Sequence, residues 1–275
     1  MEWLENINNS IDYIEDNICD EINVEKVASV ACLSKFHFQR MFHMVTGVTV
    51  AEYIRKRRLT LAAQELATYD SKIIDIAFKY GYSTPESFSR AFSKLHDINP
   101  SAVRDSKKQL KAYPRLSFQI KLKGAEKMDY KILEKDSFKI VGKQITVSTV
   151  DGENFKKIPK FWDQCNKNGF CDKLAEQMGE MGMMGICMDM DNEQDKFTYM
   201  IAIEKTENEI DLDTVEKKIP ASTWAVFEAT GPMPDAIQNL WERIFSEWFP
   251  STGYKHADSP ELEIYYPGDV NDSDY

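Results

Sequence analysis

The sequence predicts two domains of different class: an all-α N-terminal domain built as a double helix-turn-helix, and an α+β C-terminal domain. Three observations carry this. A stretch within the first 110 residues nearly repeats itself. The net charge changes sign between the halves. The hydrophobic pattern passes from a helical period to strand, helix, strand.

The repeat pairs VASVACLSKFHFQRMFHMVTGVTVAEYIR (residues 27–55) with IAFKYGYSTPESFSRAFSKLHDINPSAVR (residues 76–104). Ala28 and Ser34 match Ala77 and Ser83 at an offset of 49; Phe38, Arg40 and Phe42 match Phe88, Arg90 and Phe92 at an offset of 50. Each copy reads as a short helix, a polar turn and a second helix with an outward Arg. Used twice, such a unit fits a protein that reads two neighbouring patches of DNA.

The helical elements follow in order. Trp3, Leu4, Ile7, Ile11, Ile14 and Ile18 form one stripe of a first amphipathic helix. Val27, Val30 and Ala31 fit a short second one. Ser34 is the expected N-cap of a third, with Phe38, Met41, Phe42 and Val45 inward and Gly47 at its end. Thr49 and Glu52 have capping-box spacing and open a long helix to about Thr68. A fifth helix covers residues 73–80 and stops at Gly81. Ser83-Thr84-Pro85-Glu86 opens a sixth, again with capping-box spacing and a Pro in the first turn. Its inner face is Phe88, Ala91, Phe92 and Leu95, and Asn99-Pro100 starts a short seventh. The domain is expected over residues 1–110. A basic linker, residues 111–127, follows with Lys111, Arg115, Lys121 and Lys123; the alternation of Leu116, Phe118, Ile120 and Leu122 gives part of it strand character.

Residues 128–275 read as two like halves. Strands are expected over 138–147, 183–188 and 197–204, with a helix over 155–168 carrying Phe161-Trp162. The order then returns: strands over 215–219 and 224–230, a helix over 235–249 carrying Leu240-Trp241, and a strand over 261–266. No counterpart of 197–204 follows, so this domain reads as truncated at its C-terminal strand.

Charge separates the two. Residues 1–127 carry a net +3 and residues 128–275 a net −14, against −11 for the whole chain. Such asymmetry points to different partners, with the acidic part held away from phosphate by like charge. Trp3, Glu5 and Asp12 interrupt any leader-like apolar run, and nothing approaches the roughly 18 apolar residues of a membrane span. The expectation is a cytoplasmic protein with no membrane partner. The five cysteines are irregularly spaced, which fits reduced, mostly buried thiols. No paired Cys/His spacing recurs, so no metal is expected, and no cofactor.

A DNA-reading helix packs one face on its own domain and offers the other to base edges. In the first unit Lys35, Phe36, Gln39, Arg40 and His43 lie opposite the inner face. Arg pairs bidentately with guanine, Gln with adenine, and an exposed Phe sits against a thymine methyl. In the second unit Pro85, Glu86, Ser89 and Arg90 hold the corresponding face, with Glu86 either accepting from cytosine or serving as the cap. The connecting helix, of 20 residues by this reading, is roughly 30 Å long, close to the spacing of roughly 34 Å between successive major-groove faces. Arg55, Lys56, Arg57 and Arg58 on it are candidate phosphate contacts. The competing reading is a plain helical bundle with a solvated basic face.

LSKFHFQRMF (33–42), GVTVAEYIRKRRL (47–59), IIDIAFKYGY (73–82) and FSRAFSKLHDINPSAVR (88–104) together resemble the DNA-binding domain of the AraC/XylS transcription regulators over about 100 residues. The resemblance implies base contacts from Phe36, Gln39 and Arg40, and weaker or more variable ones from Pro85, Glu86, Ser89 and Arg90. Double-stranded DNA is then the macromolecular partner and RNA polymerase a further one, with a monomer or dimer as the working form.

The second domain is rich in rings: Trp162, Tyr199, Trp224, Phe227, Trp241, Tyr265 and Tyr266. Glu263 falls inside the strand pattern Leu262-Glu263-Ile264-Tyr265. A carboxylate in an aromatic groove loses hydration, and a lipophilic cation restores a counter-charge while stacking on the rings. Met178, Met181, Met183, Met184, Met188 and Met190 fit a compliant surface for several ligands. FKIVGKQ (138–144), IPKFW (158–162), IPASTWAVFEATGP (219–232) and ELEIYYPGD (261–269) resemble the GyrI-like effector-binding domain found in multidrug-sensing regulators. That resemblance implies a pseudo-twofold pair of strand-helix-strand-strand units with a small-molecule groove between them. It also implies that Glu263 is the cation partner, among Trp162, Tyr199, Trp224, Phe227, Trp241 and Tyr265. The alternatives are a hydrolase with Glu263 as general base, and a ligand-free interaction module. No Ser-His-Asp or Cys-His arrangement is visible, so no catalytic residue is expected.

Overall fold

The computed structural model describes residues 2–104, 109–118, 127–191, 193–206, 212–257 and 259–275. The chain divides into two compact units, residues 1–120 with 249–253 and residues 121–248 with 254–275. No helix among the described residues is long and apolar enough to cross a membrane. The five cysteines are thiols, with Cys165, Cys171 and Cys187 buried and Cys19 and Cys32 exposed.

The first unit is helical: α1 (Glu2–Asp16), α2 (Val24–Val30), α3 (Lys35–Thr46), α4 (Val50–Thr68), α5 (Ile73–Lys79), α6 (Pro85–His96) and a 3₁₀ turn Pro100–Ala102. Side-chain caps start four of them. Asn23 accepts from the amides of Glu25 and Lys26, Ser34 from His37, and Thr49 from Glu52. Gly47 closes α3 at φ 71°, a left-handed turn that glycine adopts without steric cost. The cap of α6 is Thr84, not Ser83: its hydroxyl accepts from Ser87 N at 3.1 Å. Pro85, with a fixed φ and no N–H, belongs at the first helical position, which puts the cap one residue before it. The Ser83–Glu86 box therefore does not form, and Glu86 is an exposed first-turn residue.

α4 is buried along most of its length, through Val50, Tyr53, Ile54, Leu59, Thr60, Ala62, Ala63 and Leu66. Its first turns meet the first helix-turn-helix, where the rings of Phe42 and Tyr53 lie 5.7 Å apart. Its last turns form the second core with Ile76, Ala77, Tyr80, Phe88 and Phe92. Nineteen residues make it roughly 28 Å long.

Residues 109–118 are an ordered strap rather than a tether. Tyr113 N donates to Thr60 Oγ1, Leu116 N to the Tyr53 hydroxyl, and Phe118 N to Asn8 Oδ1. Asn8 Nδ2 returns a bond to Phe118 O at 3.0 Å. Lys111 pairs with Asp97 and Arg115 with Asp12. The expected alternation past residue 118 lies outside the described residues.

The second unit comprises β1 (Tyr130–Lys135), β2 (Phe138–Ser148), α7 (Asn154–Lys167), α8 (Phe170–Ala175), β3 (Met183–Asp191), β4 (Lys196–Glu204), β5 (Val215–Ile219), β6 (Ser222–Phe227), α9 (Asp235–Arg243) with a π turn Ile244–Trp248, and β7 (Glu261–Tyr265). Every ladder is antiparallel: a five-stranded sheet in the order β5-β2-β4-β3-β7 and a two-stranded sheet β1-β6. The halves interleave about a pseudo-twofold. β5 pairs with β2 as β1 pairs with β6, and β3 meets β7 across the axis. β4 has no counterpart after β7 among the described residues. β1 and α8 had no expected equivalent; β1 is almost wholly exposed and carries no alternation to read.

The five-stranded sheet has two faces of different character. Phe138, Ile140, Met184, Ile186, Met188, Met200 and Ala202 point to one, which Leu262 and Ile264 of β7 extend and against which Trp224 packs. Met184 and Met188 are thus core, not a compliant ligand surface: strand alternation turns them inward. Gly185, Tyr199, Glu263 and Tyr265 alternate onto the opposite face.

Candidate DNA-reading face and effector site

On α3, Lys35, Gln39 and Arg40 are half-buried, whereas Phe36 is buried, its ring edge-on to His37 at 5.4 Å. Phe36 is therefore not the exposed ring expected of it. On α6, Glu86 and Arg90 are exposed and Pro85 and Ser89 half-buried. Thr84 being the cap, Glu86 keeps its carboxylate outside the capping interaction.

The basic run on α4 divides. Arg55 is exposed. Lys56 pairs with Glu52 at 2.7 Å and stands over the Tyr113 ring. Arg57 is committed inward: Nε and Nη2 grip the Glu15 carboxylate at 2.7–3.1 Å, and Nη1 donates to Tyr113 O at 2.7 Å. Arg58 donates from Nε to Ile18 O at 2.8 Å and from Nη2 to Asp20 O at 2.5 Å. Arg57 and Arg58 are thus structural, contrary to the expected phosphate role. Carbonyls past the end of α1 and in the strap need donors, and the planar guanidinium fork supplies several at once. Burial pushes the Glu15 carboxyl up, but hydrogen bonds from Arg57 and Tyr53 and the guanidinium charge outweigh it and hold it below its ordinary value. Arg104 does the same service at the end of α4, donating to the carbonyls of Leu66, Tyr69 and Ser71.

In the second unit, Glu263 on β7 is half-buried. Its Oε1 accepts from Trp241 Nε1 at 2.8 Å and its Oε2 from the Tyr265 hydroxyl at 3.1 Å. Trp162 stands edge-on to Tyr265 at 5.3 Å and donates from Nε1 to the Tyr199 hydroxyl at 2.7 Å. Five of the seven expected effector residues, Glu263, Trp162, Tyr199, Trp241 and Tyr265, therefore converge from β7, α7, β4 and α9. Trp224 does not join them. It packs against the buried cluster that includes Phe138, Ile140 and Ile219, on the other face of the sheet. Phe227 belongs to a second ring cluster, 5.9 Å from Tyr130 and 5.0 Å from Trp248. Gly185 is the residue that sequence reasoning missed. It faces Glu263 in the β3–β7 register, and a Cβ there would collide with the Tyr199 hydroxyl. A glycine among Met184, Ile186 and Cys187 was the available signal, since glycine inside a strand marks a close approach.

A double helix-turn-helix followed by a domain of interleaved halves defines a DNA-binding transcription regulator with an effector-binding domain. Residues 131–275 match the integron-associated effector binding protein family, and residues 27–106 the helix-turn-helix domain family. The chain belongs to the AraC-type regulators and carries a GyrI-like effector-binding domain of the integron-associated family. The regulatory protein SoxS of Salmonella typhimurium is 45% identical over 94 residues, covering 34% of this chain and 88% of that protein. The uncharacterized HTH-type transcriptional regulator YbfP of Bacillus subtilis is 37% identical over 125 residues, or 45% of this chain; the match spans only 42% of YbfP. The solved structure of SAV2435 bound to tetraphenylphosphonium is 24% identical, with a TM-score of 0.48 over 54% of this chain and 89% of its own.

Proposed function

We propose that this regulator reads DNA with α3 and α6 and responds to a lipophilic cation carrying aromatic rings, bound at Glu263. One arrangement carries the ligand class: a half-buried carboxylate bonded by Trp241 and Tyr265, on a sheet face shared with Tyr199 and beside Trp162. Trp241 and Tyr265 orient that carboxylate as neutral donors. A cation that arrives with rings supplies counter-charge and ring contact together, whereas a neutral aromatic gains only the second. The net −14 of residues 128–275 draws cations toward the domain from a distance.

In the DNA reading, Gln39 and Arg40 on α3 and Arg90 on α6 reach base edges, with Lys35, Pro85, Glu86 and Ser89 around them, and Arg55 meets phosphate. Effector binding then changes DNA affinity or contact with RNA polymerase, to the extent that the ligand binds two states of the regulator differently.

Calorimetric titration of the full chain tests the ligand class, using tetraphenylphosphonium and the neutral triphenylphosphine oxide. Glu263→Gln is expected to weaken the cation about tenfold or more and the neutral compound by no more than about twofold. Equal losses for both, or a wild-type chain blind to the cation, refute it. Turnover of an electrophilic compound would support the hydrolase alternative.

A further inference from the structure

We propose that Gly185 is a specificity-determining position of the effector site: lacking a side chain, it lets the Tyr199 hydroxyl cross the sheet face and anchor Trp162 beside Glu263. The inference rests on the effector reading above and deepens it. It gives the site a wall that is fixed before the ligand arrives and shaped for bulky-ringed cations.

The register supplies the geometry. Gly185 on β3 is directly opposite Glu263 on β7, and Tyr199 on β4 is opposite Cys187 on β3. Directly opposed residues of an antiparallel pair share a face, and diagonal neighbours fall within reach of an aromatic side chain. Tyr199 therefore leans diagonally over residue 185. A Cβ at 185 would overlap its hydroxyl, stand 3.3 Å from its Cζ and 3.5 Å from Trp162 Cζ2. The flanking residues Met184, Ile186, Cys187 and Met188 are all buried and all carry side chains. The gap at 185 thus falls at a position that adjoins both the carboxylate and the anchored indole.

What occupies the gap explains its use. Trp162 Nε1 donates to the Tyr199 oxygen at 2.7 Å, and Tyr199 is 2% exposed, so the anchor is internal to the fold. The indole then meets Tyr265 edge-on at 5.3 Å, and Tyr265 donates to Glu263. Trp241 holds the corresponding place in the second half but spends its N–H on Glu263 itself. A ligand that engages the carboxylate perturbs the hold on Trp241 and leaves the hold on Trp162 intact. Trp162 is the preorganised wall, and the Gly185–Tyr199 pair positions it.

Four full-length proteins test this: wild type, Gly185→Ala, Tyr199→Phe and the double variant. Each is titrated calorimetrically with tetraphenylphosphonium and with tetraethylammonium, which has the charge without the rings. Gly185→Ala is expected to lose about tenfold or more for tetraphenylphosphonium and much less for tetraethylammonium, because the displaced wall contacts rings. Tyr199→Phe removes the anchor oxygen and is expected to lose a few-fold for the ringed cation. The double variant is expected to bind like Tyr199→Phe alone, since the colliding atom is gone. Wild-type affinity in Gly185→Ala, losses that multiply in the double variant, or equal losses for both cations overturn the proposal. Should Gly185→Ala fail to fold, Tyr199→Phe decides: unchanged selectivity between the two cations overturns it. A wild-type chain that binds neither cation overturns the effector reading itself, which separates that failure from this one.

Discussion

Replacing Arg57 with Gln separates a structural arginine from a DNA contact. The guanidinium makes three hydrogen bonds to Glu15 and one to Tyr113 O, and both side chains are little exposed, at 11% and 12%. Gln keeps one donor of the fork and none of the charge. Charge-assisted bonds contribute about 1.5–3 kcal/mol each when isolated, but these share one pair of groups and some solvent, so the loss is set at about 2–4 kcal/mol. For a unit of this size that lowers its unfolding midpoint by roughly 10–20 °C. The acid limb gives a second readout. Glu15 titrates below its ordinary value when folded, so its stabilisation is present above the unfolded pKa and is lost as pH falls through the folded one. Below about pH 4.5 the gap between wild type and Arg57→Gln should therefore close. Thermal scans from pH 7 to 3, with fluorescence anisotropy on a DNA duplex over a salt series, measure both. A variant with wild-type stability and a salt slope reduced by about one unit would refute the structural assignment.

Other outcomes follow from the same geometry. Arg55→Gln should leave stability within about 0.5 kcal/mol and lower the salt slope on every duplex by about one; an unchanged slope would place Arg55 away from DNA. Arg40→Ala should cost roughly 1–3 kcal/mol and relax preference at one base pair, read by anisotropy on single-site operator variants; uniform loss across all variants would make it a phosphate contact instead. Thr84→Ala should destabilise by about 1 kcal/mol through loss of the α6 cap, while Glu86→Gln leaves urea unfolding nearly unchanged; the reverse order would restore Glu86 as the capping residue.

The helices and most caps were legible because each rests on residues within one turn. Ser34, Thr49 and Gly47 act where their spacing places them. The α6 cap moved by one residue because a proline rule outranked a capping-box pattern. Arg57 and Arg58 were misread for a different reason. Their partners Glu15, Ile18 and Asp20 lie about 40 positions upstream, and no local pattern marks a basic run as internally consumed. In the second domain, alternation around Leu262-Glu263-Ile264-Tyr265 was enough to put Glu263 and Tyr265 on one face. It did not sort the tryptophans. Trp224 and Trp241 look alike in sequence, and only the pairing of β6 with β1 and the packing of α9 send them to different sides.

The interleaving of the two halves also bears on how the second domain is made. Tyr130 finds its ladder partner in Phe227, and Met183 finds its own in Tyr265. Closing contacts so distant along the chain is slow, because loop entropy must be lost before any pairing energy returns. During synthesis β1 emerges long before β6 exists, leaving an unpaired strand to be shielded until the ribosome has passed residue 227. Splitting the gene between the halves of the second domain should therefore leave β1 and β7 without their ladder partners until the two fragments are mixed.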